Sequence, residues 1–203
     1  MADFRIEKRL LRQGRWAIAG VDEVGRGALF GPVVAAAVIF SPDFLSRRPP
    51  VWARRVNDSK LLTPGARQAL VRAIAAEAVA MGLGSASSEE IDRDNIFHAS
   101  QTAMKRALRG LGRQPDFVLV DGFPLKGVEY EQIGLSQGDR KSVSVAAASI
   151  VAKVFRDELM VAFDAVYEGY GFARNKGYGT EEHYRRLREK GPTGLHRLTF
   201  KIG

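Results

Sequence analysis

Two apolar runs near the N-terminus set the first pattern. "RWAIAGVDE" alternates loosely and ends in acids, and "GPVVAAAVIF" runs apolar and β-branched between Gly-Pro and Ser-Pro. Both predict strands, joined by a glycine turn. Beyond a Pro/Arg-rich loop, "LTPGARQALVRAIAAEAVA" predicts a helix with Thr63 as N-cap and Pro64 in its first turn, followed by apolar residues at helical spacing. "MGLGSAS" suits a third strand. "SSEEIDRDNIFHASQTAMKRALRGLG" opens on a serine cap with acids in its first turn and closes on glycines, giving one helix or two short ones. "DFVLVDG" is a compact strand stopping at Asp121, "GVEYEQIG" a weaker one, and "SVSVAAASIVAKVFRDELMVAFDAVYEGYG" a long helix. A glycine-rich basic loop, "GFARNKGYGT", then precedes a charged helix, "EEHYRRLREKG". Strands alternating with helices predict a mixed α/β sheet sandwiched between helices.

The 203 residues, 45% of them hydrophobic, suffice for one sizeable core, so a single domain over 1–203 is expected. Lys and Arg number 31 against 23 Asp and Glu, a net +8 that favours a polyanionic partner such as nucleic acid. Residues 171–203 hold eight Lys or Arg against three Glu and are expected to form a basic helical appendage that grips it. Without cysteine there is no disulfide framework and no thiolate zinc site, so any metal must be held by oxygen or histidine. The N-terminus lacks the apolar centre of a signal peptide, and the longest apolar stretches fall below the ~20 residues of a membrane helix. The expectation is a soluble, cytoplasmic, monomeric chain with no membrane association.

The chemistry concentrates where apolar strands end. "GVDEVGRG" sets Asp22 beside Glu23 and then places Arg26 between Gly25 and Gly27, while "FVLV" ends on Asp121. An Asp-Glu pair at a strand end is, taken alone, a solvated turn. In α/β sheets, however, functional groups gather at strand ends near crossover points, so two such endings can face one another. Asp139 in "QGDRKSVS" reads equally as a turn or cap residue. Gathered carboxylates repel unless a cation neutralises them, and oxygen-only ligands suit Mg2+ or Mn2+. A metal pair so held can clamp both the attacking water and the leaving oxygen of a phosphodiester. The flanking glycines would let a substrate backbone approach closely.

"GVDEVGRGALFGPVVAAAV", "NDSKLL", "EEIDRDNIFHAS", "VLVDG", "GDRKSVSVAAASIVAKVFRD" and "YGFARNKGYGT" follow one another in the order seen in bacterial ribonuclease HII, the type 2 ribonuclease H. The chain resembles that family over nearly its whole length. The resemblance implies a ribonuclease H-like mixed β-sheet flanked by α-helices with a small C-terminal helical extension. It also implies Asp22, Glu23, Asp121 and Asp139 as metal-binding carboxylates for two divalent ions, with Asp157 the rival for the fourth place. By the same resemblance Gly25, Arg26 and Gly27 contact the 2′-OH and flanking backbone of a ribonucleotide, and Tyr178 packs against its sugar. Family members cleave the RNA strand of RNA/DNA hybrids and nick 5′ of ribonucleotides embedded in duplex DNA, leaving 3′-hydroxyl and 5′-phosphate ends.

Lys60, Lys176 and Arg174 are expected at phosphates. Ser149, Lys153 and Arg156 share a stripe of the long helix that is either a solvated face or a phosphate-binding edge. Two positions depart from the family pattern: Leu61 stands where a second lysine is usual, and Asn175 where histidine is common. His98, His183 and His196 show no ligand spacing and read as structural or exposed. A non-catalytic nucleic-acid module, an actin-like phosphotransferase and a two-carboxylate glycosidase remain as competing classes, the last two disfavoured by chain length and by the basic charge.

Overall fold

The computed structural model describes residues 2–49, 51–55 and 63–201, which leaves the expectations for Lys60 and Leu61 outside the described residues. The elements are α1 (Arg5–Arg12), β1 (Ile18–Val24), β2 (Val33–Phe40), α2 (Pro42–Ser46), α3 (Val51–Arg55), α4 (Pro64–Glu77) and β3 (Ala78–Ala86). Then come α5 (Ser88–Arg109), β4 (Phe117–Asp121), β5 (Gln132–Leu135), a 3₁₀ turn at Gly138–Arg140, α6 (Val143–Val166), α7 (Phe172–Asn175) and α8 (Glu181–Lys190).

Local chemistry accounts for most boundaries. Thr63 Oγ1 accepts from the Ala66 N–H at 3.3 Å, and Ser87 with Glu90 forms a reciprocal capping box that starts α5. The predicted helix over "AAEAVA" runs too far, because Ala78 and the residues after it leave α4 to pair antiparallel with β2, Phe40 opposite Ala78. Ladder hydrogen bonds along a buried neighbour outweigh the helix preference of alanine there. Helix α5 breaks at Asn95 (φ 64, ψ 164), whose Oδ1 accepts from the N–H groups of Phe97 and His98 and restarts the helix. Helix α1 was not expected from its run of charges.

The sheet order is β3-β2-β1-β4-β5, with β1 antiparallel to β2 and parallel to β4. One face packs on α6 through Ile18, Val34, Ala36, Val38, Leu119 and Ile150, and the other on α5 through Val21, Ala35, Ile39, Val120, Ala103 and Ala107. Gly20 lets β1 touch α6: a Cβ there would lie 2.1 Å from the Ser144 carbonyl carbon. A third cluster, centred on Phe30, Met160, Phe172 and Leu187, packs the C-terminal elements against the end of α6. Among the described residues no helix is long and apolar enough to cross a membrane.

Candidate active site

Strand register builds the site. Strands β1 and β4 run parallel with Val21 opposite Val120, so the next residues, Asp22 and Asp121, arrive at the same level of adjacent strands, where spacing is ~4.8 Å. Because Val21 and Val120 point toward α5, both acids point toward α6. The close β1–α6 contact at Gly20 then sets Ser149, further along α6, against Asp22, to which its hydroxyl donates. Glu23 follows on β1. Asp139, in the turn just after β5, joins Asp22, Glu23 and Asp121 around one cleft of about 500 Å³. Gly138 donates its N–H to Asp121 Oδ1 at 2.6 Å, tying that turn to the end of β4.

These acids oppose one another. Burial, then the charges of Glu23 and Asp121, push the Asp22 carboxyl well above the ordinary carboxylate range, against the hydrogen bonds from Ser149 and the Glu23 N–H. Burial also raises Glu23, with Asp121 adding to it, while Arg26 pulls the other way across a 3.0 Å ion pair. Glu23 Oε2 is buried with no hydrogen-bond partner. An all-oxygen donor set, two carboxyls held at an unfavourable protonation state and one orphaned carboxylate oxygen fit a hard divalent cation. Among the described residues no three His, Cys, Asp or Glu side chains are placed so that, as they lie, they could hold a metal ion. The acids line the cleft, and Arg26 is the cation paired with Glu23.

The rest of the cleft is the Gly25–Gly27 loop on one side and Ser149, Lys153, Arg67 and Tyr178 on the others. Ala28 and Tyr178 form an isolated antiparallel bridge, which holds the tyrosine beside the glycine loop. The Tyr178 ring lies 5.9 Å from Lys153 Nζ and 5.4 Å from the Arg156 guanidinium. Asp157, the rival fourth acid, pairs with Lys153 at 2.6 Å and with Arg67 at 3.4 Å and lines a neighbouring hollow together with Lys176.

One expectation divides, and two positions gain a structural account. The stripe of Ser149, Lys153 and Arg156 divides: the first two face the cleft, but Arg156 is fully buried and donates to the carbonyls of Phe30, Pro32 and Lys176. A guanidinium committed to three carbonyls is neither solvated nor available to phosphate. The Asn175 position is structural, for its amide donates to Tyr170 O at 2.8 Å and its Oδ1 accepts from Gly177 N–H at 2.8 Å, shaping the turn before Tyr178. His183 and His196, expected to be structural or exposed, are structural and form a buried pair, Nε2 to Nε2 at 3.1 Å. No local spacing could have disclosed that contact; nor did any signal mark Arg67, which enters the cleft from α4.

Comparison with known proteins was consistent with this geometry. A family model described as Ribonuclease HII matches residues 19–202. The chain is 53% identical over 195 residues to a ribonuclease HII of Moorella thermoacetica, covering 96% of this chain and 91% of that one. Among solved structures it is similar to the ribonuclease H2 of Pyrococcus horikoshii, with TM-score 0.73 and 26% identity over 91% of this chain and 94% of that one. It is also similar to Bst-RNase HIII in complex with Mn2+, with TM-score 0.68 and 26% identity over 93% and 68% of the two chains.

Proposed function

The chain belongs to the ribonuclease HII family and is an endoribonuclease, from which we propose that it cuts the RNA strand of RNA/DNA hybrids and nicks 5′ of single ribonucleotides in duplex DNA, leaving 3′-hydroxyl and 5′-phosphate ends. The observation that carries this reading is the placement of Asp22 and Asp121 at one level of adjacent parallel strands, with the glycine loop and Tyr178 around the same cleft.

Asp22, Glu23, Asp121 and Asp139 would hold Mg2+ or Mn2+, and the Mn2+ complex of the Bst-RNase HIII relative supports a divalent requirement. When bound, such ions supply positive charge at the attacking and leaving oxygens of an in-line phosphodiester displacement. The chain's own groups do the selecting. A 2′-OH is the one group separating RNA from DNA at a given position, and reading it needs backbone donors and acceptors at close range. At Gly27 a Cβ would meet nothing within 4 Å, so the absence of a side chain leaves open space for the sugar rather than serving internal packing. Tyr178 closes the opposite side as a flat surface for the sugar, steadied by Arg156 beneath it. Lys153 and Arg67 bring positive charge to the rim, where phosphate contacts position without specifying. No side chain is required as a covalent nucleophile.

The test is a DNA duplex carrying one ribonucleotide, incubated with and without Mg2+ or Mn2+; a metal-dependent nick on its 5′ side is expected, and an all-DNA control should remain intact. Asp22→Asn or Asp121→Asn should cut cleavage by more than about 10²-fold while duplex binding persists or tightens, since a charge repelling the phosphates has gone. A folded variant that loses binding together with cleavage would count against this assignment.

A further inference from the structure

The acid cleft is not the largest concavity. A cleft of about 700 Å³ lies between α1 and the turn after Asp139, and its walls include Arg5, Lys8, Arg9, Arg12, Arg140 and Lys141. We propose that this cleft is a second contact for the substrate, holding phosphates of one duplex arm beyond the cleavage point. This rests on the ribonuclease reading above and adds to it a binding surface on α1.

The surface is built by the way α1 docks. Phe4, Glu7 and Leu10 are buried, and Glu7 Oε1 accepts from Ser142 Oγ at 2.6 Å and from the Ser144 N–H at 3.0 Å at the start of α6. Asp3 adds a bridge to Ser142. With that face fixed, Arg5, Lys8, Arg9 and Arg12, at i, i+3, i+4 and i+7, stand on the opposite one. Like charges at those spacings repel along the helix, and only the placement of Arg9 and Arg12 in its last turn, where the helix dipole favours cations, offsets this. Arg5 is paired with Asp3, and Lys8 donates to the Arg47 carbonyl. Among the described residues no carboxylate pairs with Arg9, Arg12, Arg140 or Lys141. The one acid of α1, Glu7, points inward.

Position identifies the occupant. Arg140 and Lys141 directly follow Asp139, so the basic cleft begins one or two residues, at most ~8 Å of chain, from the acid cleft. The eight residues of α1 rise about 12 Å, some three base-pair steps of a strand that carries one phosphate per 3.4 Å. A duplex lying over the acids and passing this way would therefore set several phosphates over unpaired cations. A membrane surface or an acidic protein would not need this continuity with the cutting site.

The experiment compares the full chain with Arg9→Gln/Arg12→Gln and with Lys141→Gln on a duplex bearing one ribonucleotide. Binding is followed by fluorescence anisotropy without divalent ions between 50 and 200 mM salt, and cleavage by steady-state kinetics. Each lost phosphate contact lowers the slope of log affinity against log salt by about 0.9, so the double variant should lose nearly two units, with KM raised and kcat and the cleavage position unchanged. Arg9→Lys/Arg12→Lys should restore the slope. Trimming the duplex on one side of the ribonucleotide should bring wild type to the level of the double variant; trimming the other side should not. An unchanged slope and KM would overturn the proposal, as would a loss that lysine does not repair or that is insensitive to arm length. Should the wild type itself fail to bind or cut the ribonucleotide duplex, the ribonuclease reading falls first and this surface with it.

Discussion

Gly25 and Gly27 flank the same arginine, yet different forces keep them glycine. Gly25 adopts φ +93, and a Cβ there would lie 2.2 Å from Arg156 Nε, so both backbone and packing exclude a side chain. Gly27 has neither constraint. Gly25→Ala should thus lower the thermal midpoint by displacing Arg156 from the carbonyls it holds. Gly27→Ala should melt within about 0.5 kcal/mol of wild type and, on the proposed reading of the loop as the sugar's seat, still lose most cleavage, because its methyl would take up that open space. Parallel melting curves and cleavage assays separate the two, and equal destabilisation would refute the distinction. That Asp22, Glu23 and Asp121 close apolar strands was legible locally, but taken alone such endings read as solvated turns, and it was the resemblance that joined them with Asp139 around one cleft. Arg26 was legible only as a phosphate contact; its ion pair with Glu23 depends on how the loop folds back, which residue types alone do not disclose.

Elements with strong periodicity or caps were readable in advance: β1, β2, β4, α4 and α6 follow from apolar runs, Thr63 and the glycine turn. Helix α1 was missed because its apolar face is narrow and its charged face reads as a tail. The contact between α8 and the C-terminal segment was beyond reach for another reason, since it joins residues thirteen apart through side-chain geometry. His183 Nδ1 lies 3.0 Å from the Tyr178 carbonyl and so carries the proton it donates there; its Nε2 must then accept from His196 Nε2–H, leaving His196 Nδ1 to accept from the Thr193 N–H at 2.8 Å. Both rings are neutral in this arrangement. Burial holds each below its ordinary value, His196 at about 4 through burial and the neighbouring His183. Between that value and ~6.5 the unfolded chain binds more protons than the folded one, so the pair's contribution to stability is full above ~6.5 and declines as pH falls toward 4. Urea midpoints should drop across that window. His183→Gln/His196→Gln should be less stable at pH 7 but flatter below it. Glu7, raised by burial, acts with opposite sign, losing its contribution as pH rises from ~4.5, so variants must be compared with wild type at equal pH. A variant profile as steep as the wild type would rule the pair out as its source.

At the scale of the whole molecule, two buried arginines join what the sequence separates. Arg156 comes from the middle of α6 and Arg197 from near the C-terminus; together they donate to Arg26, Phe30, Gly31 and Pro32 carbonyls in the loop between β1 and β2, and to Lys176. Among the described residues neither has a carboxylate within hydrogen-bonding reach, and burial, followed by the charge of Arg156, brings Arg197 down to about 9. That shift represents roughly 5 kcal/mol against the charged form. The cation nevertheless fits, because charge-assisted hydrogen bonds contribute about 1.5–3 kcal/mol each and the carbonyls would otherwise be buried without donors. Backbone carbonyls have no side-chain signature, which is why sequence patterning placed Arg156 on a solvated or phosphate-binding stripe and counted Arg197 among the basic residues of a polyanion grip, whereas both are buried. The clip also explains how a C-terminal segment comes to stabilise a loop near the N-terminus that borders the acids. Arg197→Met should leave the Gly31 and Arg26 carbonyls unpaired and lower stability by about 2–4 kcal/mol, or roughly 4–15 °C for a chain of this size. Amide exchange between residues 25 and 32 should quicken more than in β2, and Arg197→Lys should recover only part of the loss, since one ammonium cannot span both carbonyls as a planar fork does. If Arg197→Met kept the wild-type midpoint and the same exchange pattern, the loop would have to be held by the packing of Phe30 alone.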